Sequence, residues 1–315
     1  MKRFKNILVG VDLTKGDVLV AENLAPPTEE AVARAVWLAK VNSARLIFFH
    51  ALPSAAINLD AETQMLLEEH HGKRTVMDHA TEVLANMAGR ARKEGVAAES
   101  LVVHGKSWVE MIRQVIRENH DLIVVGTRHL GPVKSFLVGS TGIKLLRKCP
   151  CPVWVTQPQQ ERRIASILVA HDLRPVGDLA IELGCSMAEL HDAQFHVLHA
   201  AEYPDFDYMF PARVSAERVA KYRRDAEQHI ATQLGKFDLA QPAQVHLVTE
   251  PPDIAILNHI EQHAIELLVL GTVGRAGIPG FITGNTAERL LPQIPCSVLA
   301  VKPTGFKSPV TLDEE

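Results

Sequence analysis

The sequence of 315 residues has no uninterrupted apolar run near the roughly 18 residues that a helix needs to cross a bilayer. It also has only four cysteines, too few to indicate a disulfide framework in a chain of this length. Basic residues follow Met1, but the apolar stretch before Asp12 is too short for the apolar core of a signal peptide. We therefore expect a cytoplasmic protein with no membrane partner.

An excess of charge of one sign is also missing. The net charge is −4, from 33 Lys and Arg against 37 Asp and Glu. Residues 1–157 carry 20 basic and 16 acidic residues, and the remainder carries 13 and 21. Neither half has the dense basic face of a nucleic-acid-binding protein, so we expect no nucleic-acid partner. The opposite signs of the halves favour their packing on each other without establishing it.

Signatures of catalysis, metal binding and redox chemistry are absent as well. The sequence contains no nucleophile elbow and no G-x-x-x-x-G-K-[S/T] phosphate loop. His259 and His263 are four residues apart but lack the glutamate of H-E-x-x-H, and His70-His71 has no matching cluster of cysteines or carboxylates. Cys149-Pro-Cys151 is not a C-x-x-C motif. We predict no catalytic residues and no metal ligands.

What the chain does contain is a duplication. Ile7–Leu13 is similar to Ile167–Leu173, 160 residues later, and Asp121–Thr127 is similar to Glu266–Thr272, 145 residues later. The change in offset indicates a longer excursion in the first half, for which Thr14–Pro27 is the obvious place. A repeat of about half the chain predicts two domains of ordinary size.

The composition allows a core in both halves, since 47% of the residues are hydrophobic and 22% are charged. A short polar stretch, Gln157–Arg163, marks the boundary between them. We predict a first domain over residues 1–157, a second over residues 158–302 and a tail over residues 303–315. The tail has no periodicity, and it is either disordered or an arm across the other domain.

Short apolar runs alternate with segments of helical period in both halves. Predicted strands cover residues 7–11, 46–49, 101–103, 122–125 and 153–155, and then 167–169, 195–198, 245–248, 267–270 and 298–301. Predicted helices cover residues 29–40, 65–92, 109–118 and 143–148, and then 179–190, 216–234, 253–263 and 286–291. This alternation predicts an α/β protein of two tandem doubly wound domains, each with a five-stranded parallel sheet. The order 3-2-1-4-5 would place strands one and four side by side.

A glycine-rich segment follows the fourth strand of the second half. It contains Gly271, Gly274 and Gly284, and then Asn285 and Thr286 at the start of a predicted helix. A buried strand, a glycine-rich turn and a helix N-terminus together aim backbone N–H groups at a phosphate. A tight turn that needs positive φ is the structural alternative, but it needs no third glycine at a helix start. A dinucleotide-binding motif would instead follow the first strand, so oxidoreductase activity is disfavoured.

The first half carries an altered copy of this segment, with Gly126, His129, Gly139, Ser140 and Thr141 at the matching positions. A side chain at His129 crowds the path of a phosphate, so this copy is the weaker candidate. An alternative is that Arg128 and His129 bind an anion directly.

An aspartate ends the first strand of each half, Asp12 in one and Asp172 in the other. In open parallel sheets, ligands bind beyond the carboxyl ends of the strands where the strand order reverses. Asp172 and Gly271 would then line one crevice. A turn or helix cap accounts for each aspartate equally well. His50, His199 and His171 are expected to be packed or to lie near this crevice.

An aspartate after the first strand, with G-x2-G-x9-G-[S/T/N] after the fourth, resembles the universal stress protein family. The second half matches in full at Gly271-x2-Gly274-x9-Gly284-Asn285, whereas the first half departs at His129. The resemblance covers nearly the whole chain and takes a tandem form.

The resemblance implies an adenine nucleotide, ATP with Mg²⁺, in the second domain, and no catalysis. In members that bind ATP, the aspartate and main chain after the second strand contact adenine, and the glycine loop holds ribose and phosphates. The implied residues are Asp172, Ala200, Gly271, Gly274, Gly284, Asn285 and Thr286. The weaker candidates in the first domain are Asp12, Ala51, Gly126, Gly139, Ser140 and Thr141.

Some members of the family do not bind ATP. A partner-binding stress protein without nucleotide and a slow ATPase therefore stay as alternatives. The resemblance also implies that the last strands, Val153–Val155 and Val298–Val301, pair antiparallel within one chain as a pseudo-dimer. A homodimer is a further alternative.

Overall fold

The computed structural model describes residues 3–14, 20–21, 23–53, 75–127, 138–159, 163–201, 216–272 and 285–312. The chain divides into two compact units, the first comprising Met1–Gln160 with Lys307–Glu315 and the second comprising Glu161–Phe306. Within the first unit, the Arg113 Nε group donates a hydrogen bond to the carbonyl oxygen of Thr311 at 3.3 Å. In the described part of the chain, no helix is both long enough and apolar enough to cross a membrane.

The first unit is a parallel sheet with helical connections. Its strands are β1 (Asn6–Gly10), β2 (Arg45–Leu52), β3 (Ala97–His104), β4 (Leu122–Gly126) and β5 (Val153–Thr156). Its described helices are α1 (Pro26–Asn42), α2 (Val76–Lys93), α3 (Ser107–Glu118) and α4 (Ser140–Lys148). The strands pair in the order β3-β2-β1-β4-β5, and every pair is parallel. The predicted strand order is confirmed.

The second unit repeats this arrangement. Its strands are β6 (Ser166–Ala170), β7 (Gln194–Ala200), β8 (Gln244–Val248), β9 (Leu267–Gly271) and β10 (Ser297–Val301). Its described helices are α5 (Pro175–His191), α6 (Ala216–Leu234), α7 (Pro252–Gln262) and α8 (Asn285–Leu290). The strand order is β8-β7-β6-β9-β10, again parallel throughout. The antiparallel pairing of the two last strands stays a prediction.

Local chemistry accounts for these elements. The central strands are continuous apolar runs because helices cover both faces of a parallel sheet, and Ile7, Leu8 and Val9 have no exposed surface. Helix α2 begins at a capping box in which the side chains of Thr75 and Asp78 each accept a backbone N–H of the other residue. The predicted helix over residues 65–92 is described only from this cap onward.

The first glycine of each glycine-rich segment lies where a helix approaches the end of a strand. A methyl group placed on Gly126 would meet the backbone carbonyl of Pro27 well inside van der Waals contact. A methyl group on Gly271 would lie 2.8 Å from Cγ2 of Val176 at the start of α5. Both positions therefore require glycine for helix–strand packing, whatever else they do.

The variant Gly126→Ala tests this packing, and we expect it to lower the free energy of unfolding by roughly 1–3 kcal/mol because backbone must move. Gly89→Ala is the matched control, since a methyl group at Gly89 meets only the tip of Arg92 at 3.8 Å. Within helix α2, alanine in place of glycine should raise stability by up to about 1 kcal/mol. Urea denaturation of the full chain measures both, and equal effects of the two substitutions would contradict the packing argument.

Candidate functional site

The predicted site residues that the structure describes lie together at the carboxyl-terminal edge of the second sheet. Strand β6 lies between β7 and β9, because Ala170 pairs with both Leu198 and Leu270. Asp172 follows β6 by two residues, while Ala200 and Gly271 are the last residues of β7 and β9. The reversal of strand order lies between β6 and β9, where ligands bind in folds of this kind.

The first unit has the same arrangement at its own edge. Strand β1 pairs with β2 and β4, which places Asp12 beyond the end of β1, near the ends of the strands that contain Ala51 and Gly126. Gly139 is the N-cap of α4, and Ser140 and Thr141 are its first residues.

Several predicted residues fall outside the described part of the chain. They are Gly274 and Gly284 of the second glycine segment, Arg128 and His129 of the first, and His70 and His71. Asn285 and Thr286 begin α8. Most of the glycine segment is therefore known from its sequence alone.

Both aspartates close a local turn. Asp172 Oδ1 accepts a hydrogen bond from the backbone N–H of Arg174 at 3.1 Å. In the first unit, Asp12 Oδ1 accepts hydrogen bonds from the backbone N–H of Thr14 at 3.0 Å and from its hydroxyl at 2.6 Å. The turn explanation is thus visible in both copies. The second oxygen of Asp172 lies 4.0 Å from Arg174 Nε, and the side chain is about half-exposed.

The turn after β6 carries backbone strain. Leu173 has φ of 58°, in the left-handed region that a leucine occupies at a cost of roughly 1–2 kcal/mol. Two hydrogen bonds hold it there: Leu173 N–H donates to His171 Nδ1 at 3.1 Å, and the next N–H donates to Asp172. Strain of this kind is found at functional sites when the surroundings fix the conformation.

A chain of hydrogen bonds connects this turn to helices α5 and α6. Asp178 Oδ1 lies 3.0 Å from His171 Nε2 and 2.8 Å from His229 Nε2. His199 Nδ1 donates to the carbonyl of His171 at 2.8 Å, and its Nε2 is hydrogen-bonded to the hydroxyl of Tyr222, also at 2.8 Å. These contacts fix the position of the residue that precedes Asp172.

The protonation states of the network follow from burial and hydrogen bonding. Burial lowers the pKa of His171, which is therefore neutral and donates from Nε2. Burial alone would raise the pKa of Asp178, but the hydrogen bonds from His229 and His171 together lower it. One ligand atom from each of these three residues lies within 4.8 Å of the others, as in a metal site. Mutual hydrogen bonds already account for that proximity.

A buried lysine lies beside the start of the second glycine segment. Lys302 is 6% exposed, and its Nζ is 2.5 Å from Oγ1 of Thr272, the residue after β9. The position 145 residues earlier is the buried, uncharged Gln157, and Thr127 there makes the same backbone hydrogen bond to the last strand as Thr272 does. The sequence analysis did not include Lys302 among the site residues, although the 145-residue offset of the repeat aligns it with Gln157.

Comparison with known proteins identifies the class. Residues 3–157 and residues 164–302 each match the model of the Universal stress protein family. With both halves matched, the chain belongs to the universal stress protein family, as a tandem member.

Individual relatives align with this chain over nearly their full length. Universal stress protein E of Photorhabdus laumondii is 26% identical, covering 100% of both chains, and that of Escherichia coli K12 is 25% identical, covering 100% of this chain and 99% of its own. These matches confirm the resemblance to the E type, which the Gly-Thr-Val-Gly-Arg, Gly-Asn-Thr-Ala-Glu and Val301-Lys-Pro blocks indicate together with the tandem arrangement. A universal stress protein from Archaeoglobus fulgidus has the same fold, with a TM-score of 0.65 at 20% identity, covering 94% of this chain and 98% of that one.

Buried neutral histidines make stability depend on pH. Burial lowers the pKa of His50 and His171 below the ordinary histidine value of about 6.5. Below that pH the unfolded chain binds protons that the folded chain does not. The free energy of unfolding should then fall as the pH falls from about 7.5 to about 6, by up to about 0.8 kcal/mol for each such histidine.

Urea denaturation followed by circular dichroism at the two pH values measures this dependence. His50→Gln removes one titrating group and should reduce the slope with pH. His104→Gln, which removes an exposed histidine of the same unit, is the control variant. A stability that is constant or rises on acidification would show that other groups dominate.

Proposed function

We propose that the second unit binds an adenine nucleotide, ATP with Mg²⁺, at its carboxyl-terminal edge, and that the protein acts in the cytoplasmic stress response without catalysing a reaction. The observation that carries the proposal is the buried Lys302 beside Thr272, in the unit whose glycine motif is complete in sequence, where the first unit has Gln157 and an altered motif. Both differences between the copies favour an anion in the second unit.

The electrostatic argument starts from desolvation. A buried ammonium group is unfavourable unless polar or charged groups compensate for the water that it has lost. Lys302 has a hydroxyl partner in Thr272 and lies 5.3 Å from the ring centroid of Phe306. A phosphate next to the glycine segment would add a charge-assisted interaction of the kind that lysine makes in phosphate sites.

In the proposed site, the turn after β6 would contact the adenine base. The strained Leu173 and the hydrogen bond from Arg174 N–H hold Oδ1 of Asp172 in place, and the second oxygen of this half-exposed side chain lies 4.0 Å from Arg174 Nε. That oxygen is an acceptor suited to the exocyclic amino group of adenine. Ala200 has a small side chain at the end of the adjacent strand, which leaves room for a base.

The absence of catalysis is part of the proposal. Asp178 Oδ1 faces His171 and His229, and Asp172 closes its own turn. Neither carboxylate is therefore placed as a general base for the attack of water on a terminal phosphate. Mg²⁺, when present, would be held mainly by the phosphates and by water.

Calorimetric titration of ATP with Mg²⁺ into the full chain tests the proposal. We expect one equivalent to bind, because only the second copy keeps the complete motif. Gly284→Asp should abolish binding, since it adds bulk and negative charge to the glycine segment. Gly139→Asp, the same substitution in the first copy, should leave the titration unchanged.

The other outcomes separate the alternatives. No heat and no thermal shift with any adenine nucleotide would overturn the proposal and favour a stress protein that binds a partner. Loss of binding in Gly139→Asp alone would move the site to the first unit. Release of phosphate that Gly284→Asp abolishes would establish the slow ATPase.

A second prediction concerns the charge of Lys302. Lys302→Gln copies the residue of the first unit, and we expect it to weaken ATP binding by roughly 10–100-fold because a charge-assisted contact to phosphate is lost. Gln157→Glu, at the matching position of the first unit, is the control and should not change ATP affinity. Thermal midpoints without ligand report any effect on folding. Unchanged affinity in a folded Lys302→Gln variant would remove this residue from the site.

A further inference from the structure

Four histidines of the second unit meet beneath one helix. His196 lies on β7 and His246 on β8, and His263 directly follows α7, which packs against β7. His259 lies one helical turn before His263. In the ladder of β7 with β8, His196 is opposite Gln244, and His246 is opposite Leu198. The two strand histidines therefore project to the same face of the sheet, because side chains alternate along a strand.

The rings are close enough to bind one ion together. His196 Nδ1 is 3.2 Å from His246 Nε2, and the ring centroid of His263 is 4.7 Å from that of His196 and 5.2 Å from that of His246. One nitrogen from each of these three rings lies within 4.8 Å of the others. The ring of His259 is 4.5 Å from His246 and 5.1 Å from His263, between centroids.

Two ring nitrogens of this cluster lack a hydrogen-bond partner among the described residues, although His196 Nδ1 and His246 Nε2 are within hydrogen-bond distance of each other. His196 is 1% exposed, and its Nε2 atom has no partner among the described residues; the buried Nε2 atom of His259 has none either. A buried polar atom without a partner is destabilising. The network around Asp178 is different, because there a carboxylate oxygen is hydrogen-bonded to the Nε2 atom of each imidazole.

The imidazole side chains of this cluster determine which metals it could bind. Neutral imidazole is a ligand for Zn²⁺, Cu²⁺ and Ni²⁺, whereas Mg²⁺ and Ca²⁺ prefer oxygen.

The cluster is separate from the proposed nucleotide site. His196 is four residues before Ala200, which places it roughly 13 Å from the carboxyl end of β7. Helix α7 ends towards the amino-terminal edge of the sheet, since helices in such units run antiparallel to their strands. A ligand here would connect the end of α7 to the two outer strands β7 and β8.

We propose that His196, His246 and His263 form a binding site for a divalent transition metal of the zinc class, and that His259 closes it as the fourth ligand. His259 and His263 have the H-x3-H spacing that is common among zinc ligands. Zinc–nitrogen distances of about 2.0–2.1 Å require the rings to draw closer together by rotation of their side chains. A site of four protein ligands is structural, so the metal fastens α7 to the edge of the sheet.

The test is a Zn²⁺ titration of the full chain, stripped of metal beforehand, in competition with a chromophoric chelator and with excess Mg²⁺ present. We expect one equivalent to bind and the thermal midpoint to rise. His246→Gln and His263→Gln each remove one ligand and should weaken binding by at least ~100-fold, beyond the effect of disturbing residues around a metal site. Co²⁺ in place of Zn²⁺ should give the intense visible bands of tetrahedral coordination.

Two control variants keep their metal affinity if the assignment is right. His229→Gln alters the other histidine cluster of the same unit, and His104→Gln removes an exposed histidine of the first unit. Both should bind Zn²⁺ within ~3-fold of the unaltered chain, a difference too small for the loss of a ligand. His196 is left intact because a folding defect is expected at a fully buried position. His263, half-buried after the helix, provides the ligand test if His246→Gln lowers the thermal midpoint without metal.

Three results would overturn the proposal. They are no Zn²⁺ binding, binding that survives in folded His246→Gln and His263→Gln, and binding lost in His229→Gln instead. The ATP titration is independent of this outcome, since the two proposed sites share no residue. A failure of nucleotide binding would leave the metal result unchanged.

Discussion

The parallel pairing of the first strand of each unit with both its second and its fourth strand is the constraint on which the rest of the structure depends. In the second unit, β6 reaches β7 on one side and β9 on the other, and the chain has to reverse its direction of winding between β6 and β9. Asp172, Ala200 and Gly271 become neighbours only through this pairing, although they are spread over 100 residues of sequence. The same pairing of β1 produces the corresponding edge in the first unit. In this fold, the strand order therefore determines where a ligand site lies before any side chain does.

The periodicity of the sequence was sufficient to predict the fold class and the number of strands, since continuous apolar runs and the repeat predicted ten strands. The sheet order was an inference that the sequence alone could not prove, and the structure confirms it. Burial and long-range proximity were not predictable in the same way. In the sequence, Lys302 is a polar residue that follows a strand. Only the packing shows that its ammonium group is buried beside Thr272. His196 and His246 are 50 residues apart and become neighbours of His263 only when β7 and β8 pair beneath α7.

The two units show how one scaffold diverges where the ligand would lie. Each has an aspartate that closes a turn, and each has a histidine whose Nδ1 bonds the carbonyl after the first strand, His50 in one and His199 in the other. Beyond that the copies differ: His199 continues to Tyr222, whereas the buried Nε2 of His50 has no partner in the described part of the first unit. The framework is shared while the surroundings of the edge are not, as expected if one copy keeps a ligand and the other is released from that requirement.

The close contact between a helix and the last residue of the fourth strand limits what the glycine pattern indicates about ligand binding. Gly126 persists in a copy whose second glycine is replaced by His129, because the backbone of Pro27 leaves no space for any side chain there. The first glycine of the pattern is thus diagnostic of the fold and survives the loss of a ligand. The later glycines carry the information about binding. In related tandem chains, a copy that retains only the first glycine should be counted as a folded domain and not as a nucleotide site.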